Sequence, residues 1–224
     1  NHQSWFSNST GDIALSTNTL EKDKRLQLIT EEIILTPRER EYYMHADMKL
    51  IYDSLYFTLD AGFTDVKTHI TNLFSKYPVQ SMHWFYRRAK WGSENTSEAV
   101  ANRTNYSTDE SVSNAATHAA SSSVVIDQNS IYLNGVSIAD KQTHQYFKYI
   151  QPYTYNMSIP KRNIYTNSFA IRPTIFMPTG SINIGKQMNK STLRGILTDN
   201  GFELFIFYVY FNFMHYKDGR LTIT

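Results

Sequence analysis

Seven histidines are the side chains of this 224-residue chain best suited to acid–base or metal chemistry: His2, His45, His69, His83, His118, His144 and His215. A metal centre read from sequence needs ligands brought onto one face, as His-x-His or His-Glu-x-x-His provides, and neither spacing occurs. Each histidine therefore reads as a structural or solvated residue. Acyl transfer would call for a Gly-x-Ser-x-Gly elbow, phosphate binding for Gly-x-x-x-x-Gly-Lys-Ser/Thr, and dinucleotide binding for Gly-x-Gly-x-x-Gly. None of the three is present. The acidic pairs Glu31-Glu32 and Glu39/Glu41 are neighbours on a strand or first helical turn, where acids serve as solvated faces or dipole partners. Arg38, Glu39, Arg40 and Glu41 read as surface ion pairs in a helix cap, worth little each. With no cysteine there is no thiolate nucleophile, zinc–thiolate site or disulfide framework. The expectation is a non-enzymatic chain that needs no cofactor and no metal.

Composition points to what such a chain is built from. A hydrophobic content of 41% over 224 residues can bury a sizeable core, and β-sandwiches of this size are commonly one domain. Sixteen tyrosines and thirteen phenylalanines suit pleated, half-buried surfaces better than helical ones. The 22 basic and 20 acidic residues leave a formal charge of +2 with no block of basic side chains, so a nucleic-acid groove has no support. The longest apolar run, 204–211, falls far short of the ~20 residues of a membrane-spanning helix. The chain starts at Asn1 with no initiator methionine, basic n-region or apolar h-region, which is the expectation for a fragment of a longer protein.

In chain order, residues 1–20 are polar and read as an arm or linker from a preceding domain. Residues 26–35 form a β-branched run of strand length. Thr36, Pro37 and Glu39 then supply an N-cap, a first-turn proline and an acid, which predicts a short helix over 37–46. Strands are expected over 48–59, 66–74 and 79–88. Residues 94–123 are rich in Ser, Thr, Asn and Ala, lack any period, and read as a long loop. Segments 124–127 and 130–133 flank a turn, and Asn134-Gly135 marks a hairpin that returns along 136–139. Further strands are expected at 146–150, 169–171, 181–184, 202–214 and 221–223. Asn-x-Ser/Thr sequons stand at Asn8, Asn95, Asn102, Asn105, Asn156 and Asn189; their clustering in 94–123 reads as exposure of that loop.

Two stretches carry most of the information. Residues 167–183 combine strand chemistry at Phe169, a stop at Arg172-Pro173, and a turn at Met177-Pro178-Thr179-Gly180 before Asn183. In 202–214, one alternate set is Leu204, Ile206, Tyr208, Tyr210 and Met214, and the other is Phe205, Phe207, Val209, Phe211 and Phe213. Both faces are apolar, which predicts that a second layer, domain or subunit covers the phenylalanine face. A strand covered by this chain's own long loop is the alternative.

Tyr165-Thr-Asn-Ser-Phe-Ala-Ile-Arg-Pro173 followed by Met177-Pro-Thr-Gly-Ser-Ile-Asn183 resembles the carboxy-terminal signature of the major capsid proteins of nucleocytoplasmic large DNA viruses. The stretches from Leu35-Thr-Pro-Arg-Glu-Arg, Ile131-Tyr-Leu-Asn-Gly-Val and Tyr146-Phe to Gln151-Pro-Tyr are similar to the same family in the same order. Thr174-Ile175, Met177, Thr179 and Gly185-Lys186 depart from its pattern and mark a divergent member. The resemblance implies an all-β jelly-roll sandwich over 21–224, the second of a double jelly-roll pair. It also implies a companion amino-terminal jelly roll, homotrimeric capsomers tiling an icosahedral shell, minor capsid proteins as candidate partners, and assembly into virions in the host cytoplasm. Phe169, Arg172, Pro173, Pro178, Gly180, Asn183, Asn134 and Gly135 would then serve geometry rather than chemistry. Two other classes compete. One is a free-standing carbohydrate-binding or adhesion module with Trp5, Trp84 and Trp91 as its stacking platform, and the other is a cupin-type enzyme.

Overall fold

The computed structural model describes residues 7–8, 11–12, 32–61, 65–93, 99, 102–109, 123–175, 177–186 and 190–223. They fall into two compact units, Asp53–Phe211 and Asn1–Tyr52 with Asn212–Thr224. In chain order the elements are β1 (Ser7–Asn8), β2 (Gly11–Asp12), α1 (Pro37–His45), β3 (Asp47–Asp60), β4 (Thr68–Leu73) and β5 (Val79–Arg88). They continue with α2 (Lys90–Ser93), β6 (Ile126–Leu133), β7 (Val136–Gln142), β8 (Tyr165–Ser168), β9 (Ser191–Leu197), β10 (Phe202–Lys217) and β11 (Arg220–Ile223). A π-helical turn, Tyr146–Ile150, runs into the helical turn Gln151–Thr154 between β7 and β8.

The larger unit is an antiparallel sandwich. One sheet has the order β3-β10-β5-β8 and the other β4-β9-β6-β7. Counted as eight successive strands from β3, these are 1-8-3-6 and 2-7-4-5, the interleaved Greek-key order of a jelly roll. The expected fold class is therefore found. Alternation sets each inner face: on β4, His69, Thr71 and Leu73 point inward while Thr68, Ile70 and Asn72 face out. Met82, Trp84 and Tyr86 of β5 meet Leu204, Ile206 and Tyr208 of β10 in the core, with Tyr165 from β8 and Phe147 from the π-helical turn. Each such side chain removed from water contributes roughly 1.5–3 kcal/mol. Asn134 and Gly135 turn β6 into β7 with φ of 51° and 82°, the left-handed pair a two-residue hairpin demands.

In the other unit, α1 begins with the expected cap. Thr36 Oγ1 accepts from Glu39 N at 3.4 Å, and the Glu39 carboxylate accepts from Thr36 N at 2.9 Å. This reciprocal pair holds Glu39 below the usual carboxylate range. At the far end of β10, Asp47 accepts from His215 Nε2 at 2.6 Å, and β11 pairs alongside.

Several local expectations need correction. Of 26–35, residues 26–31 lie outside the described set, and 32–35 form no strand. No turn interrupts 128–129; β6 is continuous, with an irregularity that seats Asn129 in the core. Residues 146–150 are helical because Pro152 opens the helical turn that follows and Phe147 anchors the inner side. The strand before the signature turn is Tyr165–Ser168 rather than 169–171, since Ser168 Oγ bonds both N and O of Ala170 and bends the chain there. Residues 181–184 contribute a single bridge, Ile182 to Val79. β9 was absent from the sequence expectations because Arg194-Gly195 breaks its apolar alternation.

Gly185 lies so close to the segment that follows β4 that an added Cβ would stand 2.2 Å from Ser75 O. Gly185→Ala should cost about 1–3 kcal/mol of stability, read from the urea midpoint, because backbone must move to admit a methyl group.

Candidate assembly surface

The register of β10 on β5 pairs Phe205 with Phe85, Phe207 with His83 and Val209 with Ser81, while β8 sets Thr166 beside His83 and Ser168 beside Ser81. These residues lie on the face turned away from the core. β3 extends the same face, since the Phe57 ring stacks on Phe207 at 5.8 Å and Leu55 and Leu59 alternate with it. The face divides in two. Its β3 side is bare: Leu55, Phe57 and Leu59 are 59%, 57% and 51% exposed. Its β5–β8 side is closed, with Ser81, Thr166 and Ser168 all buried.

A row of rings joins the halves. Phe207 stacks on Phe85 at 5.8 Å, Phe205 on Phe85 at 4.9 Å, and Tyr106, from the long connection after β5, on Phe85 at 4.1 Å. The Arg87 guanidinium lies 4.6 Å over Phe205 and is ion-paired to Glu203; Arg162 lies over Tyr106. Tyr106 is carried on 102–109, where side chains hold alternate carbonyls. Arg162 donates to Thr104 O at 3.1 Å, Asn163 to Tyr106 O at 3.0 Å and Arg88 to Thr108 O at 3.1 Å. Asn163 also donates to Ser123 O at 2.9 Å and accepts from the buried Lys148 ammonium at 2.8 Å. The side chain of Asn105 closes the segment on itself through Asn102, Ser107 and Asp109.

The expected features sort as follows. Phe205, Phe207 and Val209 are half-buried, Phe211 is buried, and Phe213, which belongs to the smaller unit, is 48% exposed. Of the covers read from the sequence, the long connection reaches the phenylalanine face where Tyr106 stacks on Phe85. The sequons Asn102 and Asn105 are buried rather than exposed, because their amides build the segment's own hydrogen bonds. Asn156 is exposed, while Asn95 and Asn189 lie outside the described residues. The signature makes a corner beside β5. Gln80 donates to Pro173 O at 2.9 Å, Thr179 Oγ1 ties both N and O of Arg172, and Gly180 adopts φ of 146°. Arg172 and Pro178 are exposed, Phe169 packs against the core, and Asn183 is half-buried. Trp84 and Trp91 are buried, so neither can serve as a stacking platform; Trp5 lies outside the described residues.

One group on this face has the outline of hydrolytic chemistry. His83 Nε2 lies 3.1 Å from Ser81 Oγ, and Nδ1 lies 3.0 Å from Thr166 Oγ1. Burial pushes the imidazole down to about 4, and Ser81 is 2% exposed. A general base works best near the operating pH and must reach its substrate, and this pair meets neither condition. The triad holds β5 to β8 instead.

Against known families, residues 39–221 match the family model described as large eukaryotic DNA virus major capsid protein. The chain belongs to that family. Solved capsid structures carry the same fold: the PBCV-1 virus capsid at 15% identity and TM-score 0.62, covering 85% of this chain and 54% of that one. The Faustovirus major capsid protein matches at 13% identity and TM-score 0.56, covering 80% of this chain and 36% of that one. The chain thus spans about half the length of the PBCV-1 capsid chain it resembles. No curated relative matches by sequence at a significant level.

His83 also sets a pH dependence. Its proton affinity in the fold is about 4 against an ordinary 6.5, so the unfolded chain binds the extra proton between those values. The contribution is complete above pH 6.5 and is lost as pH falls toward 4, up to about 3 kcal/mol. Urea midpoints at pH 7 and pH 4.5 should show the loss, and His83→Gln should shrink it.

Proposed function

We propose that this chain is the carboxy-terminal jelly roll of a major capsid protein, with residues 1–20 as the linker from a companion amino-terminal jelly roll. The observation that supports this reading is the half-covered outer face of the β3-β10-β5-β8 sheet. Its apolar side chains stand on strands, and among the described residues the long connection meets this face at Phe85, through Tyr106. Isolated apolar side chains on a surface need no explanation, but a contiguous row of Leu55, Phe57, Leu59 and Phe207 beside a sealed half does. Obligate interfaces resemble a core cut in half, which is how the bare half looks.

In the proposed assembly the companion jelly roll or a neighbouring subunit covers this face, three chains form a pseudo-hexagonal capsomer, and capsomers tile an icosahedral shell within the host cytoplasm. Minor capsid proteins are candidate partners at capsomer edges. The role is structural and requires no catalysis, cofactor or nucleic-acid contact. Among the described residues no helix is long and apolar enough to cross a membrane.

With the companion half present, the protein should sediment as a trimer at micromolar concentration. Leu55→Glu, at a site already 59% exposed, should leave the unfolding midpoint nearly unchanged and shift the trimer to monomer. A monodisperse monomer for the unmodified protein at high concentration would sink the proposal.

A further inference from the structure

Alternation along β3 puts Asp53 on the same outer face as Leu55, Phe57 and Leu59, with neighbours in the row about 7 Å apart. The rings of Tyr56 and Tyr208 stack at 6.0 Å and those of Phe57 and Phe207 at 5.8 Å, so β3 runs antiparallel to β10 and the count carries Asp53 to the level of Phe211. Asp53 is exposed, and among the described residues its carboxylate has no ion pair and no hydrogen bond. The other acids of this sheet are tied: Glu203 is paired with Arg87, and Asp60 accepts from Thr71 Oγ1 at 2.6 Å. The side chains beside Asp53 on its face are Leu55 on β3 and Val209 and Phe211 on β10, none of which titrates. Partial burial already raises the proton affinity of the carboxylate.

The opposite edge of the same sheet carries the complement. β8 leads into the signature corner, where Ile171, Ile175 and Met177 are exposed in sequence around Arg172, whose guanidinium meets no carboxylate among the described residues. The corner is bonded to the Val79 end of β5, since Phe169 N donates to Gln80 O at 2.9 Å and Gln80 Nε2 donates to Pro173 O at 2.9 Å. Val79 stands opposite Tyr210 of β10, so acid and cation lie at one end of the sheet on opposite edges. β3 and β8 are three strand spacings apart, about 14 Å, and the two groups do not meet within one chain. A closed ring made by side-by-side packing needs two different patches on each member, and these two differ in sign.

Covering the β3 face strips Asp53 of water, and a charge desolvated without a partner is strongly unfavourable. Resting on the reading that a neighbouring subunit covers this face, we propose that the cover is an apolar corner tipped by a guanidinium or ammonium. Its apolar side chains lie on Leu55, Phe57 and Leu59, and its cation meets Asp53. The occupant is a second copy of the whole protein, with the chemistry that the corner at 169–180 displays in this chain. The ion pair fixes the register of the contact, which apolar side chains alone would leave free to slide.

Sedimentation of the protein with its companion half present, at pH 7 and pH 4 with circular dichroism in parallel, tests this by comparing Asp53→Asn with the unmodified chain. Asp53→Asn is expected to leave the urea midpoint unchanged and to raise the concentration at which the trimer half-dissociates about tenfold or more at pH 7. A cation partner holds the paired carboxylate below the free one, so the pair strengthens the trimer at pH 7 and is lost as pH falls. The unmodified trimer should therefore loosen more at pH 4 than the Asp53→Asn trimer, which shares the loss at His83. A trimer that Asp53→Asn leaves unchanged at pH 7, or one that tightens as pH falls because Asp53 enters the contact protonated, would overturn the proposal. Leu55→Glu separates the two levels: if it dissociates the trimer while Asp53→Asn does not, the ion pair alone fails, and if neither dissociates it, the covered face fails with it.

Discussion

A strand in a two-layer sandwich has one face in the core and one face free, and β10 carries large apolar side chains on both. That single constraint organises the sheet. The inner set, Phe202, Leu204, Ile206 and Tyr208, is fully used by the core. The outer set cannot be left wholly in water, and among the described residues Tyr106, laid on Phe85, covers part of it. The aromatic row from Phe57 to Tyr106 is therefore sealed at one end and open at the other.

The seal is built from charge and amides. Arg88, Arg162 and Asn163 hold carbonyls of 102–109, a segment that has no strand partner of its own, and so they meet the requirement that backbone groups near a core be bonded. The clamp recognises backbone, while the Tyr106 ring fills the face. Asn102 and Asn105 turn inward for the same reason, so a motif that suggests surface modification is a fold device here.

Polar groups inside the sandwich follow one logic on its two faces. His83 outside the core bridges the paired strands β5 and β8, His69 within it bridges the two sheets, and burial makes both reluctant to charge. They differ in what surrounds them. The His83 ring meets the hydroxyls of Ser81 and Thr166, whereas the His69 ring meets the Tyr86 hydroxyl and a Thr71 hydroxyl that is itself bonded to Asp60. Histidine spacing in the sequence cannot separate these cases, because the partners come from strands far apart in the chain.

The sequence by itself determined the class of fold, the capped helix at Thr36, the hairpin at Asn134-Gly135 and the doubly apolar character of β10. Each rests on residues within a few positions of one another, where periodicity, capping and turn chemistry act directly. It also carried the family signature, although the strand there lies at Tyr165–Ser168 and residues 169–180 form the corner. What only the tertiary structure decided is which contacts close at long range. β9 is a central strand despite Gly195 because His69 and Asn129 fill the space a side chain would take. Residues 146–150 are helical because Phe147 must reach the core. Tyr106 is laid on the phenylalanine face because Arg88 and the adjacent Arg162 and Asn163, far from Arg88 in the chain, converge on one loop segment. Local patterns do not encode such convergences, since the free energy that selects them comes from burial and hydrogen bonding between distant parts of the chain.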